Sequence, residues 1–171
     1  DVSLFKDQDV AVWNKTANVN ARDDEHRPNI WLGTNDQLYL SRTSRDLKKI
    51  DQCVVNINTG VVKTLIEESL NTYVEIKKPG LVKNGEEIIE WSERDGWAHL
   101  YLHDKEGKVK NQITQGPWHI EDVVSIDEDK RVVYFSANGR ENINSNTKED
   151  PYYLHLYKVN FDGTGLQLLN S

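Results

Sequence analysis

Apolar and polar residues alternate along most of this chain, and short polar turns interrupt the alternation. Ile88, Ile89 and Trp91 form an apolar run, residues 92–96 break it, and Trp97, Leu100 and Leu102 resume it. Tyr101 suits either face of such a strand. A period near two, bounded by Asp95 and Gly96, predicts a β-hairpin with half-buried strands. Ser92 and Asp95 can hydrogen-bond their own backbone and Gly96 can take a positive φ, so the turn has a mechanism. The same logic predicts a second turn over residues 104–107, and burial of Trp91 and Leu100.

The unit occurs again on both sides. Residues 38–46 lead into a strand over 50–57, and residues 132–140 lead, after a longer loop, into a strand over 153–161. Each pair is followed by a turn (Gly60, Gly107, and Gly163 with Gly165) and one more short strand, over 61–65, 109–113 and 166–169. Opening strands fall at 30–32, 72–76 and 118–124. The interval from Gly107 to Gly165 exceeds that from Gly60 to Gly107 because of a polar insert over 141–150, read as an exposed loop. A four-stranded unit repeating at this length predicts an all-β fold of antiparallel four-stranded blades, about three blades of a larger β-propeller. Helical solenoids of similar period need a 3.6-residue pattern that is absent here. The expected boundaries are 1–28 for the end of a preceding blade and a loop, then 29–70, 71–116 and 117–171 for the blades.

Several stretches carry a family likeness. Residues 91–101, from Trp91-Ser92-Glu93-Arg94-Asp95-Gly96-Trp97 to His99 and Tyr101, resemble a propeller motif of dipeptidyl peptidase IV-type serine peptidases. So do Thr114, Gly116 and Trp118 at a blade junction, Tyr134 to Ala137, and Asp150 to Val159 with the glycine-rich turn after it. The likeness runs from about Asp23 to the end and is nearest to bacterial members. It implies a propeller standing before an α/β-hydrolase domain that holds a Ser-Asp-His triad, and nothing here resembles that second domain. It implies that the whole propeller covers the active site, admits short or unstructured peptides and fixes their amino end. The triad then removes an amino-terminal dipeptide, usually after proline or alanine, through an acyl-enzyme. By the same likeness the partners are the hydrolase domain and peptide substrates, and the location is exported, periplasmic or in the cell envelope.

Composition adds limits. The chain has 171 residues, a length that fits one domain, and a formal net charge of −7 with no basic cluster, which argues against nucleic acid as a partner. Methionine is absent even at position 1, as expected of an excised or processed piece. The single cysteine, Cys53, cannot form an internal disulfide and reads as a small core hydrophobe. No apolar run is long enough to cross a bilayer. Residues 18–28 read as a solvated charged loop.

The candidate chemistry is sparse. No G-x-S-x-G elbow, P-loop or dinucleotide fingerprint occurs, so no catalytic residue, metal or cofactor is assigned. Glu67 and Glu68 are similar to the glutamate pair with which this peptidase family grips an amino terminus, but that pair belongs to a different local motif. Here they read as the end of a strand. His99 and His103 would share a strand face, too few ligands for zinc, and read as a solvated face. Trp31, Trp91, Trp97 and Trp118 could form a ligand platform. Repeat-equivalent positions favour core packing for Trp91 and Trp97. Tyr73, Glu75, His119 and Glu121 fall on expected opening strands, beside the channel of a propeller, and are the substrate-binding candidates. The competing reading is a non-enzymatic propeller that binds a protein or a glycan. Cut blade edges would also leave apolar faces, from which self-association is expected.

Overall fold

The computed structural model describes residues 36–72, 74–75, 77–144, 150 and 152–170, with residues 30–32 and 144 described by their backbone. They fall into two compact units, one within Asp1–Lys78 and one over Pro79–Ser171. Among the described residues there are three four-stranded antiparallel sheets, each an up-and-down meander. The fold is that of propeller blades.

The first unit holds β1 (Ile30–Leu32), β2 (Gln37–Thr43), β3 (Lys49–Asn56) and β4 (Val62–Ser69). Its described core is small: Leu40, Cys53 and Val55, with Leu38 against them. Cys53 is buried, burial pushes its thiol up, and its sulfur lies 3.6 Å from Thr64 Oγ1. Buried polar groups complete the sheet: Ser41 donates to the Gln52 side chain, and Asp51 accepts from Arg42 Nε at 3.0 Å. Glu67 of β4 pairs with Lys49 of β3 at 2.8 Å, while its neighbour Glu68 is buried.

The second unit holds β5 (Gly80–Val82), β6 (Glu87–Ser92), β7 (His99–Asp104) and β8 (Val109–Gln112), then β9 (His119–Asp127), β10 (Val132–Asn138), β11 (His155–Asn160) and β12 (Gln167–Leu168). One core spans both sheets, including Ile89, Trp91, Leu100 and Leu102 from the first and Ile120, Val133, Phe135, Tyr157 and Val159 from the second. Gly80 permits the closeness, since a Cβ there would collide with Ile126 of β9. Both expected turns are present: Gly96 N–H donates to Glu93 O at 2.8 Å and Gly107 N–H to Asp104 O at 3.0 Å. Trp91 and Leu100 are buried.

Four local expectations are corrected. The opening strand of the second sheet is Gly80–Val82, not residues 72–76. Val74 donates its N–H to Leu47 O in a loop, so the apolar residue is buried by anchoring and not by a ladder. Trp97 is 46% exposed, because it lies in the turn before β7 begins at His99. His99 and His103 are buried, not solvated, each held by polar partners. The insert starts as a short helix, α1 (Arg140–Asn144), and Glu141 is half-buried as the acceptor of the Tyr157 hydroxyl at 2.9 Å. Residues 145–149 of that insert lie outside the described residues.

Candidate functional site

The seam between the two sheets of the second unit brings the sequence candidates closest to one another. At one end, Trp91 Nε1–H donates to Ile120 O at 2.7 Å, and Ile120 N–H donates to Ala98 O at 3.0 Å. These two bonds join the β6–β7 hairpin to the start of β9. His119 lies beside this junction, edge-on to Trp91 with ring centroids 5.9 Å apart. Its Nε2 is 3.8 Å from Glu121 Oε2, and both side chains reach solvent. An imidazole and a carboxylate side by side on an opening strand can accept or donate hydrogen bonds to a polar ligand. Glu75 lies in the first unit, exposed and paired with Lys77 at 2.8 Å, and Tyr73 lies outside the described residues.

Beneath the junction, His99 is wired to the segment that leads into β9. Its Nε2 is 2.8 Å from Gly116 O and its Nδ1 is 3.2 Å from Thr114 Oγ1. Since Gly116 O can only accept, Nε2 carries the proton and Nδ1 accepts from the Thr114 hydroxyl, which in turn accepts Leu100 N–H at 3.0 Å. Burial holds the imidazole below its ordinary value, so it stays neutral. Gly116 is required here, with φ +131° and room for a Cβ denied by Trp118 Nε1 at 2.5 Å. Trp118 then packs edge-on to His99 and stacks on Phe135.

A second buried group sits farther along β6 and β7, on the face opposite Trp91 and Leu100. Glu90 accepts from Arg94 Nη2 and lies 2.9 Å from His103 Nε2 without the alignment of a hydrogen bond. Arg94 Nε donates to Ser92 Oγ at 2.8 Å, and its guanidinium lies over Tyr101, 4.4 Å from the ring centroid. This network secures the 92–96 turn. It contains a serine, a histidine and a carboxylate, but Ser92 and Glu90 both hold Arg94, and His103 bonds Gly107 O through Nδ1 at 3.0 Å.

The far end of the seam carries a charged latch that sequence reasoning did not find, because its members lie 44 residues apart. Arg131 grips Glu87 with both terminal nitrogens, at 2.7 and 3.2 Å, and Lys110 joins the same carboxylate. Arg131, then Lys110, holds Glu87 down to about 2. Arg131 has φ 56°, and its guanidinium stacks 4.6 Å from the Phe161 ring centroid. Glu128 accepts Lys83 N–H at 2.8 Å nearby. A cleft of about 360 Å³ opens here, lined by Lys110, Asn111, Lys130, Arg131, Phe161 and Asp162. Its cations are already countered by Glu87 and Asp127, which makes it a fastening and not an anion site.

Among the described residues no group of three or more His, Cys, Asp or Glu side chains could hold a metal ion. No helix among them is long and apolar enough to cross a membrane.

Comparison with known proteins agrees with this architecture. Residues 2–171 match the family model described as the dipeptidyl peptidase IV (DPP IV) N-terminal region. Dipeptidyl peptidase 4 of Trichophyton rubrum is 29% identical over 83 residues, covering 48% of this chain and 10% of that protein. The chain therefore spans about a tenth of the length of the curated relatives it matches. The crystal structure of Porphyromonas gingivalis dipeptidyl peptidase 4 superposes with a TM-score of 0.67 at 22% identity, covering 79% of this chain and 18% of that one. A chain assigned to TolB from Agrobacterium tumefaciens superposes with a TM-score of 0.58 at 14% identity, covering 83% of this chain and 48% of that one. At such identities the superpositions speak for the fold alone.

Proposed function

The chain belongs to the dipeptidyl peptidase IV N-terminal region family, and we propose that it is the non-catalytic propeller portion of a serine exopeptidase. The parent enzyme removes amino-terminal Xaa-Pro or Xaa-Ala dipeptides, on an α/β-hydrolase domain that the propeller covers and gates. The family match over residues 2–171, on a chain folded as four-stranded blades, carries this reading. Tyr73, Glu75, His119 and Glu121 are the proposed channel-lining contacts to peptide, with His119 and Glu121 supported by their solvent-reaching position on the opening strand β9. The parent is proposed to be a bacterial protein that acts outside the cytoplasm, in the periplasm or cell envelope. It needs no cofactor, because acyl transfer by a serine triad runs on side chains and backbone donors.

A chromogenic Xaa-Pro substrate tests the reading. The full parent protein is expected to release the chromophore and to lose this activity with a serine-directed inhibitor, while this chain alone stays inert. Inhibitor-sensitive turnover by the chain alone, or an inactive parent, would overturn it.

A further inference from the structure

β9 does not pair evenly with β10. Ser136 stands opposite Asp122 and Ala137 opposite Ile120, so Glu121 has no partner across the ladder. One extra residue on one strand is a β-bulge, a device that bends the strand and re-aims a side chain. Its effect is visible in the burial. Glu121 and Asp122 are consecutive and both exposed, where an uninterrupted strand would send them to opposite faces. The residue before the bulge, Ile120, is fully buried, and the neighbouring hairpin binds both of its backbone polar groups. Its N–H donates to Ala98 O at 3.0 Å, and its carbonyl accepts Trp91 Nε1–H at 2.7 Å.

Trp91 thus bears on both of the proposed peptide contacts that β9 carries. The Ile120 carbonyl and the Glu121 N–H belong to one planar peptide unit, so a bond that holds the carbonyl also restricts φ of Glu121 and the direction of its side chain. On the other side of Ile120, the Trp91 ring meets His119 edge-on, with centroids 5.9 Å apart. We propose, resting on the functional reading above, that Trp91 is a positioning residue for the peptide site: its indole N–H pins the bulge and so fixes how His119 and Glu121 meet the substrate. Core packing alone asks only for a large ring at this position. Phenylalanine would fill most of the same space opposite Leu100, yet leave the Ile120 carbonyl without its donor. A buried carbonyl in that state is costly, and turning towards another partner would turn the whole peptide unit with it. The N–H therefore has a task separable from that of the ring.

Steady-state cleavage of an Xaa-Pro peptide of several residues by the full parent protein tests this. Trp91→Phe is expected to raise KM roughly 3- to 10-fold, with kcat held within about twofold. In a parent that already carries His119→Ala and Glu121→Ala, the same substitution is expected to leave KM where those two put it. An equal rise in that background would show that Trp91 acts elsewhere and overturn the proposal. An unchanged KM in Trp91→Phe would overturn it too, and would leave the peptide contacts standing where His119→Ala and Glu121→Ala raise KM. If those two substitutions do not change KM, the contacts and the positioning role fall together. A parent that cleaves no Xaa-Pro peptide overturns the functional reading itself. Should Trp91→Phe unfold the protein, benzothienylalanine at position 91 keeps the two-ring shape, replaces the N–H with sulfur, and is read by the same criteria.

Discussion

The sheet β5–β8 buries both of its faces, and the two are buried by different chemistry. Ile89 and Trp91 of β6 pair across the ladder with Leu102 and Leu100 of β7, and this face joins the core shared with β9–β12. The alternate residues, Glu90, Ser92, His99, Tyr101 and His103, turn the other way and are also buried. Ile88 is buried on this face beside His103, and the rest of the space holds hydrogen bonds and a stacked guanidinium. The first face gains stability from area removed from water and tolerates any well-fitting hydrocarbon. The second has little such latitude, because a buried polar atom that loses its partner bears a desolvation cost of about 1–3 kcal/mol. One strand pair thus serves as glue on one side and as a wired frame on the other.

The apolar face should give the largest effect when damaged. Leu100 is fully buried between Trp91 and the facing sheet. Leu100→Ala removes its packing and leaves a cavity, with an expected cost of about 2–5 kcal/mol. Urea unfolding should show this as a lower midpoint with an unchanged slope.

The latch at the seam's charged end comes next. Glu87 titrates near 2 in the fold against 4.5 in a free chain. A depressed carboxyl stabilises the fold fully above pH 4.5 and loses that contribution as pH falls towards 2. Glu87→Gln should therefore cost about 1–3 kcal/mol at neutral pH, discounted because Arg131 is partly solvated. The difference from the unaltered protein should shrink steadily below pH 4.5. A constant difference down to pH 2 would show that Glu87 acts by shape and not by charge.

The smallest effect belongs to the polar wiring at the other end. His99 is neutral in the fold because burial lowers its affinity for a proton, whereas the unfolded chain titrates near 6.5. Its contribution is complete above that value and is lost as the solution is acidified below it. His99→Gln, which can keep one amide donor, should flatten the stability profile between pH 5 and pH 7 without changing its alkaline part. Stability measured by urea at half-unit pH steps is the check.

These contrasts explain what the sequence made visible. The hairpins were legible because glycine and aspartate sit at the turns: Gly96 and Gly107 both have positive φ, and Asp104 accepts the N–H of Glu106 and Lys108. The apolar face was legible by alternation. The polar face looked like solvent, since nothing local distinguishes a buried His99 or His103 from an exposed one. Trp97 misled in the opposite sense, because an apolar ring one residue short of a strand fits the alternation equally well. The displaced first strand at Gly80–Val82 is only three residues long, too short for any period to register. His119 and Glu121 were expected on an opening strand from repeat position, and they lie on β9. The Glu87–Arg131 latch was invisible, because two separate turns supply its halves.

The account's central structural claim is that Pro79–Ser171 holds together as one unit across the apolar face of β6 and β7. Native-state hydrogen exchange of Leu100→Ala, followed amide by amide, tests it most directly. If the two sheets share one cooperative core, amides in β10 and β11, such as those of Val133, Phe135 and Tyr157, should lose as much protection as those in β7. A loss confined to β5–β8, with β9–β12 exchanging as before, would contradict the claim and make each sheet its own folding unit.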